Sequence, residues 1–137
     1  MEDRQMKISE NRPPRKFLVG HGPMVEISDC GTVQLSANEQ VTFLTANNLE
    51  YDVVRKEWGY YATPSLNGRL ADNDLRAVLT KNQSGNFYIL LVERGRESAF
   101  NCYLEEENMS IVAWIDSGET LSTLEYAVQT VMGEQLF

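Results

Sequence analysis

From Phe17 onward, short stretches rich in Val, Thr, Phe and Tyr alternate with turn residues, and their spacing of about eight to twelve residues predicts β-strands. The strands fall over 24–27, 32–35, 41–45, 51–58 and 60–63. Each is short, so several must pair to make a stable sheet. In the fourth, Tyr51, Val53, Arg55 and Glu57 point one way and Asp52, Val54, Lys56 and Trp58 the other. Neither face is purely apolar, which predicts a strand near an edge or lining a cleft. Pro64 lacks an amide hydrogen and ends the strand pattern, and Asn67-Gly68 suits a tight turn with positive φ. The clearest strands are 75–80 and 87–92, joined by the hairpin loop Lys81-Asn82-Gln83-Ser84-Gly85-Asn86. Apolar residues on both faces of 87–92 predict a central, covered strand.

The period then changes. Over 97–108, Phe100, Tyr103 and Leu104 share one helical face, while Glu105-Glu106-Glu107 oppose the helix dipole and favour an early end. A strand over 111–115 follows. Leu121, Leu124, Val128 and Val131 then mark an amphipathic C-terminal helix, with Ser117 as its cap and Gly133 as its stop. Residues 1–16 are polar, contain Pro13-Pro14 and lack hydrophobic periodicity, so they read as a flexible arm. The order lacks a regular βαβ alternation. It predicts an α+β fold with a mainly antiparallel sheet, as one domain over 17–132 with a tail at 133–137. The runner-up is a small β-barrel or jelly-roll sandwich with appended helices.

Composition narrows the classes. The apolar fraction of 42% suits a single core. The longest apolar run, Tyr88 to Val92, is far short of the roughly twenty residues of a spanning helix, and the polar start Met1-Glu2-Asp3-Arg4-Gln5 has no secretory apolar stretch. We expect no membrane span and a cytoplasmic location. Cys30 and Cys102 form no disulfide framework and no Cys-x-x-Cys pair, so both read as free thiols, Cys102 as a small buried hydrophobe. Net charge is -8, and its placement says more than its total. Residues 1–96 hold all twelve bases and balance to zero, whereas 97–137 hold eight acids and no base. Such a surface repels phosphate backbones, so no nucleic-acid partner is expected. The acidic third reads as a solvated face, or as a docking surface for a basic partner.

No signature of a known chemistry is present. The single histidine, His21, lies in Gly20-His21-Gly22-Pro23 and cannot supply the two or three imidazoles of a catalytic zinc site, so no metal site is expected. Nucleophile elbows, phosphate-binding loops and dinucleotide-binding turns are missing from the sequence, and no cofactor is implied. The candidate surface is Trp58 to Leu70, which sets three aromatics, a proline, two glycines and an arginine within thirteen residues. Trp58, Tyr60 and Tyr61 offer stacking area, and Asn67 and Arg69, with Arg55 and Arg76 nearby, offer polar contacts to an anion. The bland reading is an ordinary sheet core with cross-strand ion pairs.

Two functions of different class follow. The first is a non-catalytic binding or accessory protein that uses 58–70 to hold a small polar or anionic ligand or a protein partner. The alternative is a cofactor-free isomerase or lyase, with Tyr60 or Tyr61 and Asp52 or Glu57 as acid and base and Arg69 stabilising negative charge. The catalytic kit being so sparse, the first is preferred and no catalytic residue is assigned. An edge strand joining two copies would make a homodimer.

At Trp58-Gly-Tyr-Tyr-Ala-Thr-Pro-Ser-Leu-Asn-Gly-Arg-Leu70, with Tyr88-Ile-Leu-Leu-Val-Glu93 downstream, the chain resembles a group of small uncharacterised bacterial proteins associated with genes for surface-polysaccharide synthesis. The resemblance covers roughly residues 30–116. It implies a ligand or partner from sugar or nucleotide-sugar metabolism and supplies no catalytic residues.

Overall fold

The computed structural model describes residues 6–136, with side chains to residue 133. It is an α+β fold of three antiparallel sheets and a C-terminal helix. Strands β1 (Lys7–Val19) and β2 (Val25–Gln34) form a two-stranded ribbon. The second sheet has the order β3-β4-β5, from Gln40–Leu44, Glu50–Lys56 and Gly59–Tyr61. A short helix, α1 (Arg69–Asp72), leads into β6 (Leu75–Lys81) and β7 (Phe87–Glu93). Then come α2 (Glu97–Glu106), β8 (Ser110–Trp114) and α3 (Gly118–Leu136). The third sheet has the order β7-β6-β8.

The core lies on the third sheet. Leu75, Ala77, Val78 and Thr80 of β6 are buried, and Leu70, Ala77 and Ile115 close one cluster with Leu75. The central strand is therefore β6, and β7 is an edge. This corrects the expectation of a covered strand over 87–92: Ile89 is 58% exposed and Phe87 is also exposed, because no element among the described residues covers the far end of β7. Of the two positions expected for β4, an edge or a cleft wall, the edge is ruled out, since β4 is the middle strand of its sheet. It ends at Lys56, and Glu57-Trp58 form the two-residue loop to β5.

The helices follow their patterns with two adjustments. α3 begins as expected, since the Thr120 backbone N–H donates to Ser117 Oγ at 3.1 Å. It continues through Gly133, however, a residue whose entropic penalty in a helix is only about 1 kcal/mol. α2 ends at Glu106, and the acids that oppose its dipole have another use. The Glu107 carboxylate accepts the backbone N–H of His21 at 3.0 Å and of Gly22 at 3.4 Å. This clamps the tip of the ribbon on the end of α2. Gly22 sits so close that a Cβ there would strike the Glu106 carbonyl.

From Lys7 onward, the stretch expected to be a flexible arm is paired with β2; residues 1–5 lie outside the described residues. Two expected strands, 24–27 and 32–35, are one continuous strand, β2. β1 accommodates Pro13-Pro14 in a bulge between Glu10 and Arg15, where proline's missing N–H breaks no ladder bond. Both thiols are free and exposed, so Cys102 is not the buried hydrophobe expected: it lies on the outer face of α2, away from Leu104.

Candidate functional site

The β4–β5 hairpin raises its aromatics into solvent. Trp58, at the loop tip, is 72% exposed, and Tyr60 and Tyr61 on β5 are 59% and 47% exposed. β5 is an edge strand, so its outer backbone groups are open to a partner. Arg55, cross-strand from Tyr60, holds the hairpin closed. Its Nη1 donates to Gly59 O at 2.7 Å and also to Lys56 O, and its guanidinium lies 5.1 Å from the Tyr60 ring centroid. This arginine therefore stiffens the aromatic platform.

The chain then turns inward. Pro64 is buried, and Ser65 Oγ accepts the backbone N–H of Arg69, the first residue of α1, at 2.8 Å. Gly68 does not have the positive φ expected of the Asn67-Gly68 turn; its φ is -123°. Glycine is needed there for space, since a Cβ would strike Ser65 Oγ. Asn67 is exposed beside Gly118 at the start of α3.

Arg69 and Arg76 are each held by two carboxylates, although Arg69 keeps 48% of its side chain exposed. Arg69 Nε donates to Asp52 Oδ2 at 2.6 Å and its Nη2 to Glu50 Oε1 at 2.7 Å. Asp52, itself buried, also accepts the Thr42 hydroxyl at 2.8 Å across the β3–β4 ladder. Arg76 is held by Asp116 and Glu97 and lies over Trp114. Trp58, Tyr60 and Tyr61 thus share one exposed edge, whereas Arg69 and Arg76 are engaged by carboxylates of the fold and do not converge with them.

The Arg69 hydrogen bond, followed by that of Thr42, holds the Asp52 carboxyl below the ordinary aspartate value of 3.8 against the opposing effect of burial. A carboxylate so stabilised is a weak base. Asp29 is lowered similarly by Arg15 and the Gly31 backbone N–H, and Glu97 by its own backbone N–H and Arg76. A depressed folded pKa stabilises fully above the unfolded value and is lost as pH falls through the folded one. Stability should therefore be level from neutral pH to about 5 and decline below about 4. Urea unfolding of Asp52→Asn across that range should show a shallower acid decline than the parent chain. Equal slopes would remove Asp52 from the account.

Hollows lie elsewhere on the described surface. A groove of about 490 Å³ runs between the second and third sheets, floored by Phe43, Tyr51, Leu75, Leu91 and Phe100, with Glu93 and Arg96 at its rim. β4 does line a cleft, through Tyr51. The sequence reading passed over Arg96, whose side chain makes no hydrogen bond or ion pair among the described residues. A base at a helix N-cap, where Ser, Thr, Asp or Asn is usual, was the available signal. A second hollow of about 450 Å³ lies under the ribbon tip, beside His21, Tyr88 and Tyr103. Neither takes in a residue of 58–70. Among the described residues no cluster of His, Cys, Asp or Glu could hold a metal, and no helix is long and apolar enough to cross a membrane.

Comparison of the chain with protein-family models, with curated proteins and with solved structures finds no match.

Proposed function

We propose that this chain is a non-catalytic binding or accessory protein that recognises a protein partner through the Trp58–Tyr60–Tyr61 edge. The observation that carries this reading is the exposure of Trp58 at a hairpin tip, continuous with two tyrosines on an open edge strand. Exposed Trp and Tyr are characteristic anchors of protein interfaces, and an open edge can accept a further strand. A small anionic ligand draws less support, because Arg69 and Arg76 are already paired. Acid–base chemistry by Tyr60 or Tyr61 with Asp52 draws less too, because Asp52 is held as a stabilised carboxylate. With the resemblance to proteins associated with surface-polysaccharide synthesis, the partner would be an enzyme handling sugars or nucleotide sugars.

Trp58→Ala should leave stability within about 0.5 kcal/mol, as for an exposed side chain, and weaken partner binding by about 30-fold or more. Parallel affinity capture with the parent chain and the variant identifies proteins retained by the first and lost by the second. Two-dimensional NMR then follows the Trp58 and Trp114 indole signals as the captured protein is added. A shift at Trp58 with Trp114 unmoved is expected. Saturable Trp58 shifts with sugar phosphates or nucleotide sugars alone would replace the protein partner by a small ligand. Equal capture by both chains would sink the reading.

A further inference from the structure

The groove between the second and third sheets carries two opposite charges that do not meet. The Arg96 backbone N–H donates to Glu93 O at 2.9 Å, which closes a tight turn through Arg94-Gly95 and sets both end residues at the rim of the groove. Gly95, with a φ of 95°, supplies the left-handed position of that turn at no steric cost. The neighbouring charges are engaged elsewhere: Arg94 Nε lies 3.7 Å from Asp74 Oδ1, and Glu97 meets Arg76 at 3.1 Å. The side chains of Glu93 and Arg96 have no ion pair or hydrogen bond among the described residues, with each other or with any other group.

Below these charges the groove is apolar. Phe43 of β3 and Tyr51 of β4 stack with ring centroids 6.2 Å apart, and Leu75, Leu91 and Phe100 complete the floor. Phe43 is 54% exposed, so an aromatic face of the wall is left to water. The volume of about 490 Å³ lies within the roughly 300–1,000 Å³ of small-ligand sites.

Such a lining suits a small molecule with an apolar body and two opposite charges at one end. A carboxylate fits the planar donor fork of Arg96, an ammonium fits the Glu93 carboxylate, and an aromatic ring extends the Phe43–Tyr51 stack. An apolar acid without an ammonium would set its carboxylate beside Glu93, and an apolar amine without a carboxylate would set its ammonium beside Arg96, each a like-charge contact. We propose that this groove is a binding site for a free aromatic α-amino acid. The site shares no residue with the Trp58 edge, so either reading can fail alone.

Two-dimensional NMR of the full chain titrated with L-phenylalanine should show saturable shifts at the Leu75 and Leu91 methyls, with the Trp58 indole unmoved. Phenylpropionate, which lacks the ammonium, and phenethylamine, which lacks the carboxylate, should each bind about 10-fold or more weakly, as for the loss of one hydrogen bond to a charged group. Glu93→Gln should erase the preference for phenylalanine over phenylpropionate, and Arg96→Gln the preference over phenethylamine. These changes of selectivity need a folded groove, so general unfolding does not imitate them. Arg94→Gln, in the same turn but outside the groove lining, should bind phenylalanine as the parent chain does. Absence of saturable shifts with phenylalanine, phenylpropionate bound as tightly as phenylalanine, or unaltered selectivity in the Glu93 and Arg96 variants would each overturn the proposal.

Discussion

Leu70→Ala should lower unfolding stability by about 3 kcal/mol, within the range for a buried leucine cut to alanine. Leu70 is fully buried although α1 is one turn long. It joins Leu75 and Ala77 of β6 to Ile115, with Leu49, Tyr51, Leu66 and Leu121 packed around them. The short helix is held by this contact, since a single turn has little stability of its own. Truncation therefore removes transfer energy and loosens the support under Arg69, whose salt bridge ties α1 to β4. Half-buried neighbours such as Leu66 and Leu121 can move into the gap, which keeps the loss below the upper end of the range. Urea unfolding followed at Trp114 measures it. A loss under about 1 kcal/mol would mean that the cluster is not the centre of the fold.

Local patterns were legible where one element decides them. The 75–80 and 87–92 hairpin, the helix beginning at Glu97 and the Ser117 cap all form close to where the sequence places them. Position within a sheet was not legible. Phe87–Glu93 has apolar residues on both faces and yet lies at an edge, because apolar alternation reports what a strand could bury and not what is present to cover it. The same gap explains the ribbon: Arg12, Pro13, Pro14 and Arg15 obscure the alternation in β1, which becomes visible only when β2 is set beside it.

The candidate site divides along similar lines. Trp58, Tyr60 and Tyr61 can be singled out from composition, and their exposure follows from a two-residue loop and an open edge. The arginines cannot be sorted this way. Arg69 meets Asp52 across seventeen positions of sequence and Arg76 meets Asp116 across forty, so a guanidinium that looks free in sequence is already paired in space. Arg96, with no such partner among the described residues, is the one that local composition gave least reason to notice.

Arg76 shows what that pairing is worth. Its Nε lies 2.6 Å from Asp116 Oδ2, its Nη1 lies 3.1 Å from Glu97 Oε2, and its guanidinium carbon is 4.0 Å from the Trp114 ring centroid. One side chain on β6 thereby ties the exit of β8 to the first turn of α2. Arg76→Ala should lower stability by about 3 kcal/mol, the lower end for breaking a buried pair, because Arg76 retains some contact with water. The penalty arises mainly from Asp116, whose side chain is only 11% exposed and would be left without its cation. Arg76→Lys should recover part of the loss, ending about 1.5 kcal/mol below the parent chain. An ammonium keeps the charge but lacks the planar fork that serves two carboxylates and an indole together. Removing Asp116 as well should cost less than the sum of the single changes, since the stranded carboxylate goes with it. Near-UV circular dichroism of Trp114 should weaken in the alanine variant and persist in the lysine variant. Additive losses in the double variant, or an Arg76→Ala chain as stable as its parent, would return Arg76 to the pool of groups free to bind a ligand.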